Sequence, residues 1–166
     1  MIKVFITDDH AIAAEGIRSL LQHEKDIECL GYAPTAAACL EYLAGNTADI
    51  ILMDINMPDM SGIEGVKMIR KQYPDVKIIM QTVFDDTDKI FAAIEAGADG
   101  YFLKTTATAK IVEGIKEVME GGAPMTATVA KKVLSKFKEQ PKNVTEVFEL
   151  NEQERAILNH LVNGLS

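Results

Sequence analysis

Two kinds of apolar run alternate along this chain. Ile2–Thr7, Ile27–Ala33, Val76–Gln81 and Gly100–Leu103 are short and apolar, and read as strands. Asp49-Ile50-Ile51-Leu52-Met53 is a continuous apolar run after one acid, as expected of a strand covered on both faces. Between these runs the apolar residues recur at helical spacing. Ala11–His23 carries Ile12, Ile17, Leu20 and Leu21, and Thr35 is placed to cap a helix over Ala36–Ala44. Ser61–Tyr73 carries Ile63, Val66 and Ile69 and ends before Pro74. Thr87–Ala96 ends at Gly97. Thr108–Glu120 carries Ile111, Ile115 and Val118 and is stopped by Gly121-Gly122.

Five strand-then-helix units follow one another in this way. Such alternation predicts an α/β fold, a doubly wound parallel sheet with helices on both faces and right-handed crossovers. The number and size of the units suit a flavodoxin-like sheet of five strands in the order 2-1-3-4-5. Beyond Gly122 the alternation ends. Met125–Lys138 predicts a helix with Ala130, Val133, Leu134 and Phe137 on one face. Lysines 131, 132, 136, 138 and 142 read as a solvated helix face and linker rather than a DNA patch. Glu139–Thr145, with Pro141 and Asn143, reads as linker. A last helix starts after Leu150, with Asn151 as N-cap and Glu154 reaching back to it, and carries Ile157, Leu158, Leu161 and Val162 up to Gly164. The chain thus divides into 1–121, a helical linker over 122–148, and a final helix over 149–166. That helix is expected to dock on the large part, to pair with another copy, or to be disordered.

Composition narrows the function classes. At 166 residues and 48% apolar content, one domain of ordinary size plus a short extra piece is expected. No apolar run is long enough for a membrane span, and the acidic residues at positions 8 and 9 argue against a secretory signal. Two cysteines, Cys29 and Cys39, without metal-ligand spacing exclude a disulfide scaffold and suggest a reducing, cytoplasmic home. Residues 1–121 carry 11 basic and 20 acidic side chains, a net −9, and residues 122–166 carry 6 and 5, a net +1. The large part should repel phosphate backbones, so any DNA contact would come from the C-terminal end.

In open parallel sheets, sites form at the carboxyl ends of the strands. Asp8 and Asp9 follow the first predicted strand, Asp54 the third, Thr82 the fourth and Lys104 the fifth. The proposed order makes strands 1 and 3 neighbours, so three carboxylates converge. Like charges about 4 Å apart repel by roughly 4 kcal/mol at an effective dielectric near 20, so the cluster must hold protons or a cation. A hard divalent ion such as Mg²⁺ suits one or two carboxylates and a phosphate oxygen. An aspartate beside it can act as a nucleophile toward phosphorus, with a lysine and a hydroxyl on the remaining phosphoryl oxygens. Singly, each residue reads as a turn acid, a strand-end hydroxyl or a surface charge. The joint placement is what points to phosphoryl transfer.

Thr7-Asp8-Asp9-His10, Leu52-Met53-Asp54-Ile55-Asn56-Met57-Pro58, Gly62, Gln81-Thr82, Gly97-Ala98-Asp99-Gly100-Tyr101 and Leu103-Lys104 together resemble the receiver domain of bacterial two-component response regulators. The resemblance covers residues 1 to about 121, a CheY-like fold. Leu150–Ser166 resembles the opening of a LuxR-type helix-turn-helix domain, which places the chain with the NarL/FixJ-like transcription regulators. The resemblance implies Asp54 as phosphoacceptor, and Asp8, Asp9, Asp54 and the backbone carbonyl of Asn56 as Mg²⁺ ligands. It implies Thr82 and Lys104 as phosphoryl-binding groups and Tyr101 as the switch aromatic. Phe84 and Asn56 sit where the family tunes dephosphorylation, and the bulk of Val83 is expected to restrict access to the site. The donor would be a phosphohistidine on a sensor histidine kinase or a small phosphodonor. A homodimer is expected, with Met119 and the first helix contributing to its seam.

The helix-turn-helix is read as incomplete, so this 166-residue chain is expected not to bind promoter DNA specifically, whereas the intact regulator would. It is read as a switch and not an enzyme. A Mg²⁺-dependent aspartyl-phosphate hydrolase is the enzymatic alternative, but it calls for an acid two residues after the nucleophile, where Asn56 stands. A flavodoxin-like cofactor carrier calls for a phosphate-cradling loop where Asp8-Asp9-His10 would repel the ligand.

Overall fold

The computed structural model describes residues 1–139 and 151–164. Its elements are β1 (Ile2–Thr7), α1 (Ala11–Leu21), β2 (Ile27–Ala33), α2 (Ala36–Gly45), β3 (Ile50–Met53), α3 (Gly62–Gln72), β4 (Lys77–Thr82), α4 (Thr87–Ala96), β5 (Gly100–Leu103), α5 (Thr108–Met119), α6 (Ala127–Glu139) and α7 (Glu152–Gly164). The five strands pair in parallel in the order β2-β1-β3-β4-β5. This is the doubly wound, flavodoxin-like sheet that the alternation predicts.

Strand side chains alternate across the sheet, and the run Ile50–Met53 shows why it must be wholly apolar. Ile50 and Leu52 face a core with Val4, Ile6, Ile79 and Phe102, covered by Ile17 and Leu21 of α1 and Ile111, Ile115 and Val118 of α5. Ile51 and Met53 face the other core with Phe5, Ile78, Met80 and Tyr101, under α2, α3 and α4. Local chemistry sets the helix ends. Thr35 accepts from Ala38 N at 3.1 Å. Ser61 and Glu64 form a reciprocal capping box on α3. Gly97 ends α4 at φ +109°, a left-handed conformation that only glycine adopts without strain.

The C-terminal helices are where structure adds to sequence. α6 packs on α4, and its buried residues are Val129 and Val133, while Ala130, Leu134 and Phe137 are only partly covered. Two of the lysines read as solvated are not free: Lys132 pairs with Asp85 and Lys136 with Asp88. Asp85 and Asp88 lie far back along the chain, so no local pattern announces these pairs. α6 also includes Glu139, which the sequence suggests as the start of a linker; the rest of that linker, Lys142 included, lies outside the described residues. α7 docks, as one of the three expected outcomes. Ile157 and Leu161 enter the core while Val162 stays exposed. The Asn151–Glu154 capping box forms, at 2.8 and 2.9 Å. No helix among the described residues is long and apolar enough to cross a membrane, and Cys29 and Cys39 are free thiols.

Candidate phosphoryl-acceptor site

The parallel sheet brings the strand ends together through backbone bonds that continue past the strands. Asp54 N donates to Thr7 O at 2.9 Å, tying the end of β3 to β1, and Asp8 N donates to Ala33 O at 3.0 Å, tying the end of β1 to β2. One ligand atom each from Asp8, Asp9, His10 and Asp54 lies within 4.8 Å of all the others. Asp8 and Asp54 are buried and Asp9 and His10 open to solvent, so the group forms a shallow, acid-lined edge.

Lys104 offsets half of the inner pair's charge. Its Nζ stands 2.7 Å from Asp8 Oδ2 and 2.8 Å from Asp54 Oδ2. Burial alone would pull this ammonium down, but the hydrogen bonds and charges of Asp54 and Asp8 outweigh it and hold it above its ordinary value. The other oxygens are also engaged: Ile55 N donates to Asp54 Oδ1 at 2.7 Å and His10 N to Asp8 Oδ1 at 2.8 Å. Thr82, fully buried at the end of β4, is tied to Lys104 through its backbone, Lys104 N donating to Thr82 O at 2.8 Å. Its hydroxyl accepts from Phe84 N at 3.4 Å. Asn56 follows Asp54 on the loop, its side chain exposed. Tyr101 is fully buried, and its hydroxyl donates to Phe84 O at 2.8 Å. Burial pushes that phenol well up, with Asp86, Asp85 and Asp54 adding to the effect. Val83 is 68% exposed beside this edge.

Two contributors carry no role in the sequence reading. His10 Nδ1 lies 2.7 Å from Asp9 Oδ1 and 3.3 Å from Asp8 Oδ1, so the imidazole braces the outer acid. Its signal was adjacency to the acid pair. Gly62 donates its N–H to Ile55 O at 2.8 Å, and a Cβ there would stand 1.8 Å from the Asp54 carbonyl oxygen. Only glycine lets α3 start this close to the Asp54 loop, a constraint that no local pattern reveals.

The donor set is three carboxylates and an imidazole, the oxygen-rich chemistry a hard divalent cation prefers. A five-stranded parallel sheet in the order 2-1-3-4-5, with this acid, lysine and hydroxyl grouping at its carboxyl edge, defines the class of protein: single doubly wound domains with an acidic pocket at the strand ends. The response regulator receiver domain family matches over residues 4–116. The transcriptional regulatory protein LnrK of Bacillus subtilis is 36% identical over 174 residues, spanning 100% of this chain and 79% of the relative. A LuxR-family two-component response regulator from Aurantimonas sp. SI85-9A1 superposes with a TM-score of 0.78 at 28% identity, covering 82% of this chain and 98% of that one. A CheY-like receiver domain protein from Methanospirillum hungatei JF-1 gives 0.66 at 28% identity, covering 72% and 94%. The chain therefore belongs to the response regulator receiver family of two-component systems, in its NarL/LuxR-type branch of transcription regulators.

Proposed function

We propose that Asp54 accepts a phosphoryl group from a sensor histidine kinase and that the resulting acyl phosphate switches a cytoplasmic transcription regulator. The observation that carries this reading is the gathering of Asp8, Asp9 and Asp54 from two strand ends around one point, with Lys104 bridging two of them. A carboxylate oxygen of Asp54 attacks phosphorus as the phosphorus–nitrogen bond of the donor phosphohistidine breaks. The electron pair leaves on the imidazole nitrogen, which takes up a proton. Asp8, Asp9, Asp54 and the Asn56 carbonyl would hold Mg²⁺, which supplies positive charge against the phosphoryl oxygens. Lys104 turns from the carboxylates toward those oxygens, and Thr82 donates its hydroxyl to another. Asn56 provides no general base for a hydrolase, so the chain's chemistry ends at its own side chain.

The switch follows from charge. A phosphoryl group adds about −1.5 to −2 charge and three strong acceptors. Drawing Thr82 inward disturbs the Phe84 bonds on which Tyr101 rests. Ile12, Leu20 and Met119, all exposed on α1 and the end of α5, supply an apolar seam for a homodimer. Residues 1–121 form the receiver, 122–148 a helical linker, and α7 the first helix of a LuxR-type helix-turn-helix through which the regulator reaches promoter DNA. Intact-mass measurement with acetyl phosphate tests the reading. We expect one added phosphoryl group that requires Mg²⁺ and is absent from Asp54→Ala. Equal labelling of that variant would overturn it.

A further inference from the structure

α6 is attached to the molecule at the loop that leads out of the phosphoacceptor site. The helix lies along α4, with Phe137 edge-on to Phe91 at 5.4 Å between centroids and Val129 and Val133 in the core. One of its lysines holds the β4–α4 connection and another the first turn of α4. Lys132 Nζ donates to the Asp85 carbonyl and pairs with the same residue's carboxylate at 3.3 Å, and Lys136 Nζ stands 2.8 Å from Asp88 Oδ1. The loop itself is a relay of bonds on successive residues. Phe84 N donates to Thr82 Oγ1, Phe84 O accepts from Tyr101 OH, and Asp85 O accepts from Lys132. The chain just before α6 is fixed to the same tyrosine. Tyr101 N donates to Pro124 O at 2.9 Å, and Tyr101 bridges to Met125.

We propose that α6 is a latch on the β4–α4 loop, released when Asp54 is phosphorylated; this rests on the reading of Asp54 given above. The Thr82–Phe84 bond is already long at 3.4 Å, so a hydroxyl drawn toward phosphoryl oxygens frees the backbone behind it. Asp85 supplies both of Lys132's acceptors, and its displacement removes them together. The ion pairs lie near the surface and are individually weak, which suits a hold that a local charge event can undo. Release uncovers the faces of α4 and α6 that now meet through Phe91 and Phe137.

The test uses the full chain, Mg²⁺ and beryllofluoride. Fluorine NMR reports whether the adduct forms on Asp54, with Asp54→Ala as control, and hydrogen exchange reports α6 separately. We expect amide exchange over 127–139 to quicken roughly three- to tenfold with the adduct, while α1 amides are unchanged. The double variant Lys132→Ala/Lys136→Ala should form the same adduct, show fast α6 exchange without it, and respond little further. An adduct with α6 protection unchanged overturns the latch and leaves Asp54 as phosphoacceptor. A double variant that behaves as wild type also overturns it. No Asp54-dependent adduct overturns both.

Discussion

Lys104 decides the electrostatic balance of the pocket. With Asp8 and Asp54 buried and both within 2.8 Å of its ammonium, removing it leaves two carboxylates to repel each other. Lys104→Met should cost about 1–3 kcal/mol in urea titrations in EDTA, and Mg²⁺ should restore part of the loss. The sign of the pH dependence follows from the raised value of this group. Its contribution is fully present below the unfolded lysine value, near about 10.4, and disappears as pH rises through the higher folded value. The wild-type advantage should therefore stay level between about pH 7 and 9.5 and shrink above about 10.5. A gap that closes between those first two values would contradict the assignment. Gly62 tests the backbone side of the same pocket. Gly62→Ala must displace either α3 or the Asp54 carbonyl, and should destabilise by about 2 kcal/mol or more, measured by thermal unfolding.

The connection between α3 and the amino end of β5 is stapled by Arg70. Its guanidinium donates to Pro74 O, Val76 O, Gly97 O and Asp99 Oδ2 at 2.6–2.9 Å. Asp99, buried, also accepts from Ile78 N at 2.8 Å and from Gln153 of α7 at 3.1 Å. Arg70→Ala strands several acceptors at once and should cost about 2–4 kcal/mol in the urea midpoint; a loss under about 1 kcal/mol would show that the other partners suffice. Such links also mark where sequence reading stops. β1, β2 and β5 coincide with the predicted runs and Thr35 caps as expected, because period, capping and glycine stops are local physics. The acids and Lys104 were legible because the strand order follows from the alternation and places strand ends side by side. The partners of Lys132, Lys136 and Arg70 were not, since an amphipathic helix or a lone cation says that something must be covered or paired, not by what. Val129 escaped notice for the same reason: packing on α4 favours it over Ala130 and Leu134.

In the molecule as a whole, the two edges of the sheet carry different tasks. The carboxyl edge gathers charge around Asp54. At the amino edge Gln153 reaches Asp99, and His160 of α7 pairs with Glu117 of α5 at 2.7 Å, so α7 is seated at the edge opposite the acids. Between them run α4, the β4–α4 loop and α6, the contacts through which the proposed latch would couple one edge to the other. All of this depends on one pocket. A crystal structure of the chain with Mg²⁺ and beryllofluoride tests it most directly. The account predicts the fluoride adduct on the Asp54 carboxylate, the metal held by Asp8, Asp9, Asp54 and the Asn56 carbonyl, and Thr82 and Lys104 on the fluorines. An adduct on another residue, or a metal bound away from Asp8 and Asp9, would contradict it.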